Sequence, residues 1–563
     1  LRNKDNVMTA STATRRFAAA GALLATVASL SLLSSAATPR FYNDDPVWVE
    51  RDTEDASGVS PLDVDLAVDL AYNVIIGSRK VERVRAMNVN SIDEVPDSSW
   101  FTNRAGRVDL TAADVSRGPD VTSGPAAGSW TVTASKSDGV TPGFTVRDSA
   151  GQRWFLKVDP PGYRGMATGT EVTVTKLMWA LGYNVPENHI AHMRRDQLVL
   201  ADSATFTPPG GSPRRMRAVD LDRLLERAER ESDGSFRVVA SKALEGTPVG
   251  RIRFVGTRPD DPNDIVPHQH RRELRGYGVF AAWLNHVDAK AINSLDTLIK
   301  EDGRAYIRHH LIDFGSSLGS GGLGPAEHWE GSEYLIEPRA MVKQMLGFGF
   351  VYPQWHTSAF YESRAIGRLQ EDNADFDPRA WKPRVPNQAF LHARPDDQFW
   401  AAQKLAALTI DLLSAAVNAG DVPDPTARTF LLRALVERRD AISRAYLTGV
   451  NPIADPALGP DGVLTFRNAA VDADVAHAPD SYRAVWSQFD NASGDARVIG
   501  ESVGVTTALA APVALPVRDG SYLKVELSSD GSSYPSWTDP VAAYFRYRRG
   551  TWQTVGFERM PER

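Results

Sequence analysis

The chain contains no cysteine. That excludes disulfide bonds, thiolate zinc sites, a thiol nucleophile and a lipid anchor built on a lipobox cysteine. Positive charge is not in surplus either, since 63 Lys and Arg stand against 70 Asp and Glu for a net charge of −7. Recognition of a phosphate backbone needs a concentrated basic surface, so nucleic acid is not an expected partner. Long apolar runs are missing outside the N-terminus. No His-Glu-x-x-His, Gly-x-Ser-x-Gly or Walker A pattern occurs, which sets aside metalloprotease, serine-hydrolase and P-loop chemistry. No internal repeat is evident.

What is present is an ordinary globular composition, 42% hydrophobic and 24% charged over 563 residues. Roughly 150 residues per domain gives an expectation of about three or four domains. Residues 1–37 read as a signal peptide with upstream residues, and Met8 is the expected start. Arg15 and Arg16 form a positive n-region, Phe17 to Leu33 an apolar h-region, and Ser35-Ala36-Ala37 a small-residue exit. The protein is therefore expected to be exported by a bacterial cell, periplasmic or extracellular, with no stable membrane span after cleavage.

The rest divides by pattern. Residues 38–128 form an N-terminal module with a helical stripe at Val64, Leu66, Ala67, Leu70 and Ala71, and Asp93 to Trp100 reads as a solvated turn. Gly118 to Gly128 reads as a linker. Residues 129–455 form the core, with an insert at about 205–267. Its first part alternates as strands, with a hairpin signal at Asp148-Ser149-Ala150-Gly151. A helix follows from Glu171 to Leu181, with Gly182 as its C-cap. Further helices are expected at Arg271–Asn285, Phe399–Ala419 and Thr426–Leu447. Residues 456–563 alternate again and read as a separate small β-module.

The informative stretch is His286-Val287-Asp288-Ala289-Lys290-Ala291-Ile292-Asn293, followed by Leu311-Ile312-Asp313-Phe314-Gly315. Phosphoryl transfer explains the grouping. An acceptor hydroxyl needs a carboxylate to orient it and take its proton, and the divalent ion on a triphosphate wants oxygen ligands. Asp288 fits the first need, Asn293 and Asp313 the second. Upstream, Lys157 ends the apolar strand Trp154-Phe155-Leu156, and Glu171 on the next helix is its candidate partner. Gly139 and Gly143 in the preceding hairpin would let backbone amides approach phosphate. His268-Gln269-His270 and His309-His310 are lesser candidate metal ligands.

This set resembles the protein-kinase-like superfamily. His286 to Asn293 looks like the kinase catalytic loop, and Asp313-Phe314-Gly315 like the metal-binding motif of that family. The resemblance implies an α+β fold with a bilobal kinase-like core: an antiparallel-sheet N-lobe and a helical C-lobe, flanked by the N-terminal module and the C-terminal β-module. It implies Asp288 as base, Lys290 on the transferring phosphoryl, Asn293 and Asp313 on Mg²⁺ or Mn²⁺, and Lys157, partnered by Glu171, on the phosphates of ATP. Val287 stands where most kinases carry Arg, GxGxxG is missing, and no Ala-Pro-Glu follows Gly315. In these respects the chain is similar to the atypical branches: HipA-like, phosphoinositide and secreted CotH-type kinases. The expected partners are a nucleotide and an acceptor that is protein, lipid head group or sugar. The alternatives are an inactive pseudokinase-like scaffold and a cell-surface binding protein.

Overall fold

The computed structural model describes residues 38–76, 81–136, 142–208, 211–337 and 354–561. The expected signal peptide and Gly139 lie outside these residues. Among the described residues no helix is long and apolar enough to cross a membrane.

The first sheet is built from β1 (Trp130–Ser135), β2 (Gly143–Arg147), β3 (Arg153–Val158), β4 (Asn188–Met193), β5 (Leu198–Phe206), β6 (Arg214–Arg215) and β7 (Phe236–Lys242), in the order β4-β7-β3-β2-β1-β5-β6. Every neighbouring pair is antiparallel except β1 with β5. The hairpin between β2 and β3 turns because one Asp148 oxygen accepts from the amides of Ala150 and Gln152, at 3.0 and 2.9 Å. Its other oxygen holds the indole of Trp154. An Asx turn of this kind satisfies backbone donors that a tight loop would otherwise strand.

Between β3 and β4 runs α1 (Met166–Ala180). It starts five residues before Glu171, because Asp159 at the end of β3 caps it, accepting from the amides of Gly165, Ala167 and Thr168. It ends at Gly182, whose φ of +116° suits glycine and whose Cβ, if present, would lie 2.3 Å from the Phe101 ring. The expected stripe of Val174, Leu177, Met178 and Leu181 understates it. Every residue of α1 but Trp179 is buried.

The segment 205–267, expected as an insert, is woven into the core. β7 lies between β3 and β4, and β8 (Thr247–Gly250) joins β9 (Ser294–Glu301) and β10 (Arg304–Leu311) in a three-stranded sheet. Its sequence shows strands but not their pairing, which runs to strands distant along the chain.

The helical layer comprises α2 (Arg272–Trp283), α3 (Pro395–Ala406), α4 (Ile410–Ala419) and α5 (Pro425–Leu447). The single helix expected over Phe399–Ala419 is two, because the Thr409 side chain caps a new start by accepting from the Leu412 amide. α2 is clamped to α3 by charge. Arg272 lies 3.0 Å from Asp397 and 3.2 Å from Asp396, and Arg275 lies 2.9 Å from Asp397. Asp93, expected in a solvated turn, is buried 3.1 Å from Arg272, because this guanidinium needs a further acceptor. The architecture is α+β.

The C-terminal residues form a three-stranded sheet from Ile453 and a five-stranded sheet ending in the Val541–Arg548 and Thr551–Glu558 hairpin. This part is packed in rather than tethered. Trp537 is fully buried in the same apolar cluster as Trp283 and Phe314. Arg559 lies 3.7 Å over the Phe399 ring. Phe41, from the opposite end of the chain, packs on Phe489 and Tyr544. Trp537→Ala should therefore lower the stability of the whole protein by about 3–5 kcal/mol. In urea unfolding, one transition at a lower midpoint is expected. A separate early transition that leaves the helical layer folded would contradict it.

Candidate functional site

Lys157 comes late in β3, and its ammonium is 3.0 Å from Glu171 Oε2 and 2.8 Å from Asp313 Oδ1. Glu171 sits in the second turn of α1 with a side chain only 2% exposed. Its other oxygen accepts from the Phe314 amide at 3.0 Å. One carboxylate thus ties the strand lysine to the backbone just past Asp313. Burial lowers the affinity of Lys157 for its proton, but Asp313 and Glu171 outweigh that and hold it above the ordinary lysine value. Burial likewise pushes Asp313 up, yet Lys157 and then Lys136 hold its carboxyl well below the usual range.

Asp313 adopts φ +60°, an uncommon left-handed conformation for a residue with a side chain. It is fixed from both sides: Ile312 donates its amide to the Asn293 carbonyl at 3.0 Å, and Phe314 is fully buried against His286. These contacts place the end of β10 directly on the loop 286–293.

Within that loop Asn293 donates its amide nitrogen to the Asp288 carbonyl and to Asp288 Oδ2, at 2.8 and 2.9 Å. That orients the amide oxygen of Asn293 away from Asp288. Lys290 lies 2.7 Å and Arg384 3.5 Å from Asp288 Oδ1. Burial raises the Asp288 carboxyl, but Lys290, Arg384 and the Asn293 bond keep it below its ordinary value, so it is ionised at neutral pH. His286 is buried, bonded to Ser317 at 2.8 Å.

Two contact groups therefore form, Lys157 with Glu171 and Asp313, and Asp288 with Lys290 and Asn293. They are joined by the Ile312 to Asn293 hydrogen bond. The carboxylate of Asp313, whose side chain is 35% exposed, and the amide oxygen of Asn293 are hard oxygens of the kind that Mg²⁺ or Mn²⁺ prefers. Gly143 stands inside β2, opposite Lys157 in register. A Cβ there would meet the Leu156 carbonyl at 2.4 Å, so this glycine serves strand approach.

Two contacts escaped the sequence reading. Lys136, just past β1, lies 3.7 Å from Asp313, and Arg384 bridges Asp288 to the buried Glu330. A lysine at the mouth of a glycine-containing hairpin was the only local signal for the first. None exists for the second. The histidine candidates do not converge. His268 binds Asp264, His309 binds Asp296, His270 meets Arg275 and His310 meets Thr297. A further group, Asp120, Glu187 and His189, brings ligand atoms close together, but Lys176 and Lys242 already pair with its two carboxylates.

No family model and no curated protein matches the chain. Among solved structures, that of the Golgi casein kinase is similar over 71% of this chain and 96% of its own, at 9% identity and a TM-score of 0.25.

Burial lowers His286 to about 4. An unfolded histidine binds its proton near 6.5. Between those values the unfolded chain takes up a proton that the folded one refuses, so stability is lost as pH falls through that window. The slope from this residue is at most about 1.4 kcal/mol per pH unit. His286→Gln should flatten the dependence measured by urea unfolding between pH 4 and 7. An unchanged slope would show that His286 is not the group responsible.

Proposed function

We propose that the chain is an exported, ATP- and metal-dependent phosphotransferase of two-lobed, kinase-like fold, acting on a protein, lipid head group or sugar. The observation that carries this reading is the meeting of Lys157, Glu171 and Asp313 with the loop that holds Asp288 and Asn293. The seven-stranded sheet and the helical layer serve as the two lobes, with β3 and α1 on one side and the loop 286–293 on the other. Export rests on the pattern of residues 1–37.

Lys157, kept charged by its two carboxylates, holds the α- and β-phosphates. Asp313 and Asn293 would hold Mg²⁺ or Mn²⁺, which neutralises charge on the phosphate oxygens. Asp313, which pairs with Lys157 at 2.8 Å, would supply the carboxylate for that ion. Asp288 is ionised and oriented by Asn293. It takes the proton of the acceptor hydroxyl. Lys290, on the rim beside it, follows the transferring phosphoryl and offsets its charge.

The two acidic residues should separate binding from chemistry. With labelled ATP and Mg²⁺ or Mn²⁺, Asp313→Asn should weaken metal-dependent nucleotide binding. Asp288→Asn should leave binding nearly intact and slow self-labelling or nucleotide hydrolysis by about 10²- to 10⁴-fold. A parent protein that binds ATP without turnover, and is indifferent to Asp288→Asn, would be a pseudokinase-like scaffold. A parent that binds neither ATP nor metal would overturn the reading.

A further inference from the structure

The rung of the sheet nearest Asp313 has an unusual composition. Gly143 of β2 pairs in register with Lys157 of β3, and on its other side its carbonyl accepts from the Lys136 amide at 2.9 Å. Two lysines therefore flank one glycine across three adjacent strands. The glycine leaves the middle of the rung without a side chain. A Cβ there would meet the Leu156 carbonyl and come within 3.6 Å of Lys136 Cδ. Across this gap both ammoniums reach the same carboxylate, Lys157 at 2.8 Å from Oδ1 and Lys136 at 3.7 Å from Oδ2.

We propose that Lys136 is a second phosphate-binding cation, closing with Lys157 on the outer phosphates of a nucleoside triphosphate. The assignment rests on the phosphotransferase reading and adds to it a residue that the motif comparison does not supply. Without nucleotide, two ammoniums face two carboxylates, Glu171 and Asp313, and charge is balanced. A triphosphate carries more negative charge than one divalent ion offsets. Lys136, 3.7 Å from Asp313 Oδ2, is the second cation at this carboxylate and would offset the remaining charge.

The sequence gives this position a second reason. The segment between β1 and β2 lacks the GxGxxG sequence of the glycine-rich loop that covers the phosphates in most kinases. A lysine just past β1 offers donors as a point charge, without the fixed geometry of an arginine fork. Its side chain is 25% exposed, which leaves it room to move from carboxylate to phosphate.

The test is a comparison of ATP, ADP and adenosine affinities, each with Mg²⁺ at fixed ionic strength, for the parent, Lys136→Ala and Lys136→Arg, with Lys157→Ala as reference. Lys136→Ala should weaken ATP by about tenfold, the scale of one charged hydrogen bond, and leave adenosine unchanged. Lys136→Arg should recover most of the loss. If Lys136 only balances Asp313, the alanine variant will bind ATP as well as the parent or better, and the assignment is overturned. An equal loss for ATP and adenosine also overturns it, since that reports a disturbed sheet, which the thermal midpoint of each variant will register. A parent that binds ATP while Lys136→Ala changes nothing removes this residue alone. A parent that binds no nucleotide removes the phosphotransferase reading and this assignment together.

Discussion

The ammonium of Lys157, held between Glu171 and Asp313, is the contact on which the rest of the site depends. The Glu171 carboxylate is only 2% exposed, and an unpaired charge at that depth would be destabilising. Each partner comes from a different element: β3, α1 and the turn after β10. The pair therefore fixes three elements relative to one another. It also explains the two features around it that look costly, the left-handed backbone of Asp313 and the burial of Glu171 within α1. Both place an oxygen against the same nitrogen.

The helix that carries Glu171 is held on all sides. The carboxylate of Asp159 caps its start, and Lys176 within it pairs with Asp120. Arg237 of β7 bonds both Thr168 of α1 and the carbonyls of Gly420 and Asp421 after α4. A helix buried along almost its whole length has no solvated face on which to rotate, and interiors packed to crystal density resist such movement. The lysine–glutamate contact is thus built into the fold rather than assembled on demand.

The outer parts reinforce this rigidity. Asp93 from the N-terminal module completes the acceptors of Arg272 on α2, while Arg559, near the C-terminus, stacks on Phe399 of α3. Residues from both ends of the chain therefore contact neighbouring helices of the layer that supports loop 286–293. An ion pair and a cation–ring contact thus tie these outer parts to the helices.

Short-range physics made part of this legible from the residues. The Asp148–Gly151 turn, the glycine stop at Gly182, and the short motifs Asp-x4-Asn and Asp-Phe-Gly each depend on neighbours a few positions apart. The break at Thr409 was within reach too, as a threonine cap inside an otherwise helical run, but apolar periodicity masked it. The placement of β7 between β3 and β4, the burial of Asp93 against Arg272, and the approach of Lys136 to Asp313 and of Arg384 to Asp288 depend instead on chain segments brought together over long separations. No periodicity or spacing encodes such meetings. An isolated lysine or arginine reads as a solvated side chain until the topology sets a carboxylate beside it. The sequence determined which chemistry was available, and the tertiary structure decided which charges face one another, because a Coulomb pair is defined by distance in space and not along the chain.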